Sequence, residues 1–130
     1  MDKPKILAVD DEKHVLQCFT EVLYEYDITL EPAPLQAIEK IRSTHFDIII
    51  ADFIMPTVNG IEFLEVVKDE YKNKRCVSIL CTAYGTTYLF ESDQEEGLFQ
   101  FFLEKPFTPE SIQKVMTQAF DLLKKECVNG

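Results

Sequence analysis

Short apolar runs alternate with longer stretches whose apolar residues recur every three or four positions, and the cycle repeats five times along the chain. Lys5 to Val9 is the first run. Residues 12–26 follow as a predicted helix, with Val15, Cys18 or Phe19, and Val22 facing inward. Residues 28–31 make a weak second strand. Pro34 to Ser43 then reads as a short helix with proline in its first turn and Ala37, Ile38 and Ile41 inward. FDIIIA, at residues 46–51, is apolar on both faces and rich in β-branched residues, the pattern of a strand covered from both sides.

Residues 59–71 are predicted as the next helix, with Ile61, Phe63, Leu64, Val66 and Val67 on a broad apolar face. Residues 77–81 make a fourth strand, residues 86–96 a weakly patterned helix and residues 99–103 a fifth strand. The last helix starts near Thr108-Pro109, where threonine can cap and proline can take the first helical position. Its stripe of Ile112, Val115, Met116, Ala119, Leu122 and Leu123 keeps a helical period.

Five strand–helix units with short connections predict an α/β fold: a doubly wound, five-stranded parallel sheet with helices on both faces. In the strand order 2-1-3-4-5, ligands bind beyond the carboxyl ends of the strands, where the order switches between the first and third. No repeat or interdomain linker interrupts residues 1–130, which are expected to form one domain.

Charge narrows the partners. The 23 acidic side chains exceed the 13 basic ones and give a net charge of −10, which repels nucleic acid backbones. The four cysteines, Cys18, Cys76, Cys81 and Cys127, lack a zinc-type spacing and are expected to be reduced and mostly packed. No apolar stretch approaches membrane-spanning length and no secretory signal is evident, so a cytoplasmic location is expected.

The chemistry sits at the predicted strand ends. Asp10 and Asp11 follow the first strand, Asp52 follows the third, Thr82 the fourth, and Lys105 the fifth. A lone aspartate after a strand is usually a turn or cap residue. Three carboxylates gathered by two strands are costly unless they are solvated, paired or bound to a cation. Asp11 and Asp52 are the expected direct ligands of Mg²⁺, with Asp10 nearby and the backbone carbonyl of Ile54 filling a further position. A carboxylate can also attack phosphorus and form an aspartyl phosphate, a step that needs positioning and charge neutralisation. Lys105 would supply a fixed cation, Thr82 a hydroxyl donor and Ala83 room for a phosphate.

These strings together resemble the receiver domain of two-component response regulators, the CheY-like family, over essentially the whole chain. VDDE at Val9 to Glu12 is similar to the family's acidic pair, and ADFIMPTVNGIEFL from Ala51 to Leu64 to its phosphoacceptor segment. CTAYG at Cys81 to Gly85 and EKPF at Glu104 to Phe107 are similar to its Thr-Ala and Lys-Pro steps. The resemblance implies a flavodoxin-like (βα)5 fold and a phosphoprotein phosphorylated on Asp52, with Mg²⁺, by a histidine kinase or a histidine phosphotransfer protein. Asp10 and Asp11 would be metal-site acids, Thr82 the switch hydroxyl and Lys105 the phosphate-binding lysine. It also implies a cis peptide at Lys105-Pro106.

The chain departs from the family at Phe102, where the aromatic switch residue cannot hydrogen-bond. It also departs at Glu104, at an extra residue between Gly97 and Phe102, and at the turn Ala33-Pro34-Leu35, which lacks a glycine.

The expected function is therefore a signalling switch of a phosphorelay, not an enzyme, acting on a downstream protein partner or output domain as a monomer or a phosphorylation-dependent dimer. Two alternatives stay open: a receiver cut from a larger response regulator or hybrid kinase, and an unphosphorylated pseudo-receiver. A haloacid-dehalogenase-type phosphatase needs a second aspartate where Ile54 stands. A flavodoxin-like electron carrier needs a phosphate-cradling loop where DDEKH stands.

Overall fold

Alternation of side chains decides which face of the sheet each residue serves. The computed structural model describes residues 3–129, and side chains through residue 125. Its strands are β1 (Lys5–Val9), β2 (Asp27–Glu31), β3 (Ile48–Asp52), β4 (Val77–Ala83) and β5 (Phe101–Lys105). All neighbours run parallel, in the order β2-β1-β3-β4-β5. Between them lie the helices α1 (Lys13–Val22), α2 (Pro34–Ser43), α3 (Gly60–Glu70), α4 (Glu91–Glu95) and α5 (Pro109–Asn129). The expected fold class is the observed one.

Ile6, Ala8, Ile48, Ile50, Val77, Ile79 and Cys81 point to one face and pack with Phe19 of α1 and Met116 and Ala119 of α5. Leu7, Val9, Ile49, Ala51 and Leu80 point to the other and pack with Ala37 of α2 and Phe63 and Leu64 of α3. β3 is buried at every position, as a central parallel strand must be, whereas β2 and β5 are partly exposed at the edges.

Helix ends follow their local chemistry. Asn59 and Glu62 form a capping box at the start of α3, with reciprocal bonds of 2.9 and 2.8 Å. Thr108 and Ser111 exchange backbone–side-chain bonds at the start of α5, with Pro109 as its first residue. The glycine-free turn before α2 needs no left-handed residue. Ala33 is extended, and Pro34 starts the helix.

Several expected boundaries and stripes shift. α1 stops at Val22, four residues short of the expected end. Its buried face is Val15, Leu16 and Phe19, while Cys18 is exposed. Residues 86–96 are not one helix but a 3-10 turn, Thr87–Phe90, followed by the five residues of α4. A complete Schellman motif closes α4: Gly97 at φ 83° donates to Gln94, and Leu98 to Asp93. That exit leaves Phe99 buried ahead of the strand, so β5 begins at Phe101, two residues later than expected. Cys81 is buried, Cys76 half-buried, and Cys127 lies outside the described side chains.

Candidate functional site

The topology leaves a gap between the outward-diverging connections of β1 and β3, and the acids meet there. Asp10 follows β1 directly, Asp52 ends β3 and Lys105 ends β5. Register carries the neighbours to the same rim: Asp52 pairs with Cys81, Thr82 with Glu104, and Ala83 with Lys105. Carboxylate oxygens of Asp10, Asp11 and Asp52 all lie within 4.8 Å of one another. Asp10 and Asp52 are buried, at 1% and 5% exposure, and Asp11 is exposed.

Lys105 answers this charge. Its Nζ lies 3.1 Å from Asp52 Oδ1, 3.2 Å from Asp10 Oδ2 and 3.6 Å from Glu12 Oε1. One ammonium cannot balance the cluster. Burial, and then the charge on Asp10, push the Asp52 carboxyl up from 3.8 to about 6 despite the attraction of Lys105. Burial raises Asp10 as well. Lys105 is pulled down by its own burial, but Asp10 and Asp52 outweigh that and hold its ammonium charged well beyond the usual range.

Asp10 is oriented by the backbone, its Oδ1 accepting from Glu12 N–H at 2.9 Å, while its buried Oδ2 faces the Lys105 ammonium. The negative charge left over after one ammonium, and an all-oxygen donor set, fit a hard divalent cation such as Mg²⁺.

A cleft of about 500 Å³ opens over the cluster, lined by Asp11, Asp52, Ile54, Thr82, Ala83 and Lys105 and closed on one side by Leu89 and Phe90. Every predicted site residue except Asp10 and Phe102 lines it. Asp10 lies beneath, in contact with Lys105. Phe102 sits apart, half-buried, its ring edge-on to Phe99 at 4.9 Å. Lys105-Pro106 is cis, as the resemblance implied.

The backbone around Asp52 is held by Gly60. A Cβ there would lie 2.4 Å from the carbonyl oxygen of Asp52, and the Gly60 N–H donates to Phe53 at 2.8 Å. Only glycine lets α3 approach the strand end so closely. Phe53 in turn stacks at an angle on Phe90, 4.6 Å away.

Reading along the chain missed three participants: Glu12 beside Lys105, Thr86 beside Thr82, and Glu104, whose carboxylate accepts from Gly85 N–H at 2.9 Å. Glu104 stood out in sequence as an unexpected acid. Nothing local to the sequence marks Thr86.

Carboxylates at the switch point of a 2-1-3-4-5 sheet, with a lysine at the end of the fifth strand, define an α/β module with an acidic pocket beyond its strand ends. The profile of the response regulator receiver domain matches residues 6–117, so the chain belongs to the receiver family of two-component signalling. Over 126 residues it is 29% identical to the probable chemotaxis protein CheY of Rhizobium etli, covering 95% of this chain and 97% of that one. It is 30% identical over 125 residues to the response regulator ArlR of Staphylococcus saprophyticus, covering 94% of this chain but only 53% of that longer protein. The signal receiver domain of a LuxO repressor protein from Vibrio parahaemolyticus superposes with a TM-score of 0.86 over 98% of both chains at 23% identity, a likeness of fold. A receiver is a signalling module and not an enzyme in its own right, and its family implies a histidine kinase partner. Among the described residues no helix is long and apolar enough to cross a membrane.

Proposed function

We propose that this chain is a cytoplasmic phosphorelay switch whose phosphoacceptor is Asp52. What supports the reading is the convergence of three carboxylates and one lysine at the strand-order switch point. An Asp52 carboxylate oxygen attacks the phosphorus of a phosphohistidine on a histidine kinase or phosphotransfer protein. The new P–O bond forms as the P–N bond breaks, and the departing imidazole takes up a proton. Lys105 neutralises charge growing on the phosphoryl oxygens. Thr82 offers a hydroxyl to one of them, and Ala83 leaves it room.

Asp10, Asp11, Asp52 and the carbonyl of Ile54 would hold Mg²⁺, which when bound neutralises phosphoryl charge. Phosphorylation adds about −1.5 to −2 charges. Capture of Thr82 and repacking of Phe102 then alter the surface of α4, β5 and α5, and with it affinity for a downstream partner, an output domain or a second copy. With a net charge of −10, nucleic acid is not a direct ligand.

Incubation with acetyl phosphate and Mg²⁺ should add one phosphoryl group, as seen by intact mass. The adduct should be absent in Asp52→Asn and after chelation, and should form roughly 100-fold more slowly in Lys105→Ala. A phosphoryl group on another residue of the wild type, or one that forms equally well without metal, would overturn the assignment.

A further inference from the structure

Thr82 owns a single hydroxyl proton, and the loop between β4 and α4 decides where that proton goes. At 3% exposure, Thr82 must find its partner inside the protein. Its Oγ1 lies 2.5 Å from the Oγ1 of Thr86. The Thr86 hydroxyl also lies 2.6 Å from the carbonyl oxygen of Ala83, a group that can only accept. Each threonine has one O–H to give. Thr86 spends its proton on Ala83, so Thr82 is the donor in the threonine pair. The proton that would meet a phosphoryl oxygen is already engaged with the loop.

A second side chain holds the same loop from the neighbouring strand. Glu104 is the register partner of Thr82 and accepts from Gly85 N–H at 2.9 Å. Residues 85 and 86 are thus pinned to β5 and β4 by side chains. Beyond them Phe90 is buried against Phe53, whereas α4 has five residues, none buried. Among the described residues, Thr86 is the side-chain partner of the Thr82 hydroxyl.

We propose that Thr86 is a latch on the switch: its hydroxyl retains Thr82 in the unphosphorylated arrangement, and Glu104 steadies the loop that carries it. The proposal rests on Asp52 being the phosphoacceptor, and makes Thr86 a positioning residue that sets how readily Thr82 is captured. A phosphoryl oxygen is a charged acceptor, roughly twice as strong as a neutral hydroxyl. Capture therefore goes forward, but against the Thr82–Thr86 bond. Deleting the Thr86 hydroxyl leaves a buried donor without a partner in the unphosphorylated state only, which favours the captured state.

The test uses beryllofluoride with Mg²⁺ as the acyl-phosphate mimic, its affinity followed by ¹⁹F NMR and tyrosine fluorescence. Thr86→Val should bind about five- to tenfold more tightly than wild type. Thr86→Ser, which keeps the hydroxyl, should restore wild-type affinity. In a Thr82→Val background, Thr86→Val should bring no gain. Thr86→Ala carries the same expectation as the valine variant if the latter disturbs the loop. Tightening that persists without Thr82, or no tightening in folded Thr86→Val and Thr86→Ala while wild type binds in an Asp52-dependent way, overturns the latch alone. If wild type shows no saturable binding that Asp52→Asn abolishes, the phosphoacceptor reading fails and the latch with it.

Discussion

Replacing Asp52 by asparagine should stabilise the metal-free protein. The carboxyl is 5% exposed and raised from 3.8 to about 6, first by burial and next by the charge on Asp10. Each pH unit of that displacement is worth about 1.4 kcal/mol, so ionising Asp52 costs about 3 kcal/mol more in the folded protein than in the unfolded chain. Between pH 3.8 and about 6 the folded state binds the extra proton. Stability therefore falls as pH rises through that window, and the penalty is complete above it. Asparagine, nearly isosteric with the neutral acid, escapes the penalty. The gain should be about 3 kcal/mol near pH 7.5 and largely vanish near pH 4. Mg²⁺ should act the other way: at ten times its Kd it stabilises the wild type by about 1.4 kcal/mol, and the variant, short of a ligand, much less. Urea denaturation of both proteins at the two pH values, with and without Mg²⁺, measures every term. A gain that is absent, or the same at pH 4 and pH 7.5, would refute the idea that buried like charge strains this site.

Two further outcomes are expected. Gly60→Ala should lose about 3 kcal/mol in urea denaturation and weaken Mg²⁺ binding, because its Cβ would meet the Asp52 carbonyl at 2.4 Å; stability equal to wild type would show that α3 can retreat freely. Ile54 and Tyr84, 73% and 81% exposed beside the site, should slow in-line attack of water on phosphorylated Asp52. Changing both to asparagine should shorten the adduct's lifetime on the order of tenfold, and an unchanged or longer lifetime would exclude shielding.

Much of this molecule was legible as local pattern. The IIIA of FDIIIA reads as a strand buried on both faces because a central parallel strand has a helix layer on each side, and β3 is buried throughout, although it begins at Ile48 and leaves Phe46 and Asp47 ahead of it. Thr108 and Pro109 marked the start of α5 because caps satisfy donors within one turn of chain. Residues 86–96 were harder. Without a continuous apolar stripe, nothing in the sequence distinguishes one helix from a 3-10 turn followed by a short α-helix, and the resulting exit moved the start of β5 from 99 to 101.

The site divides in the same way. That Asp10, Asp11, Asp52, Thr82 and Lys105 belong together follows from sequence, because parallel strands deliver their last residues to one edge and the strand order determines which ends are neighbours. Distances and partners do not follow. The 3.1 Å approach of Lys105 to Asp52, its 3.2 Å approach to Asp10 and the raised carboxyl of Asp52 depend on how deeply the rim is buried once the helices pack on both faces of the sheet. The Thr82–Thr86 pair and the reach of Glu104 to Gly85 depend on the path of a loop whose residues carry no periodic signal. Strand order is written in residue spacing, which sequence displays. The engagement of each polar atom depends on which neighbours packing brings within hydrogen-bonding distance, and that exists only in three dimensions.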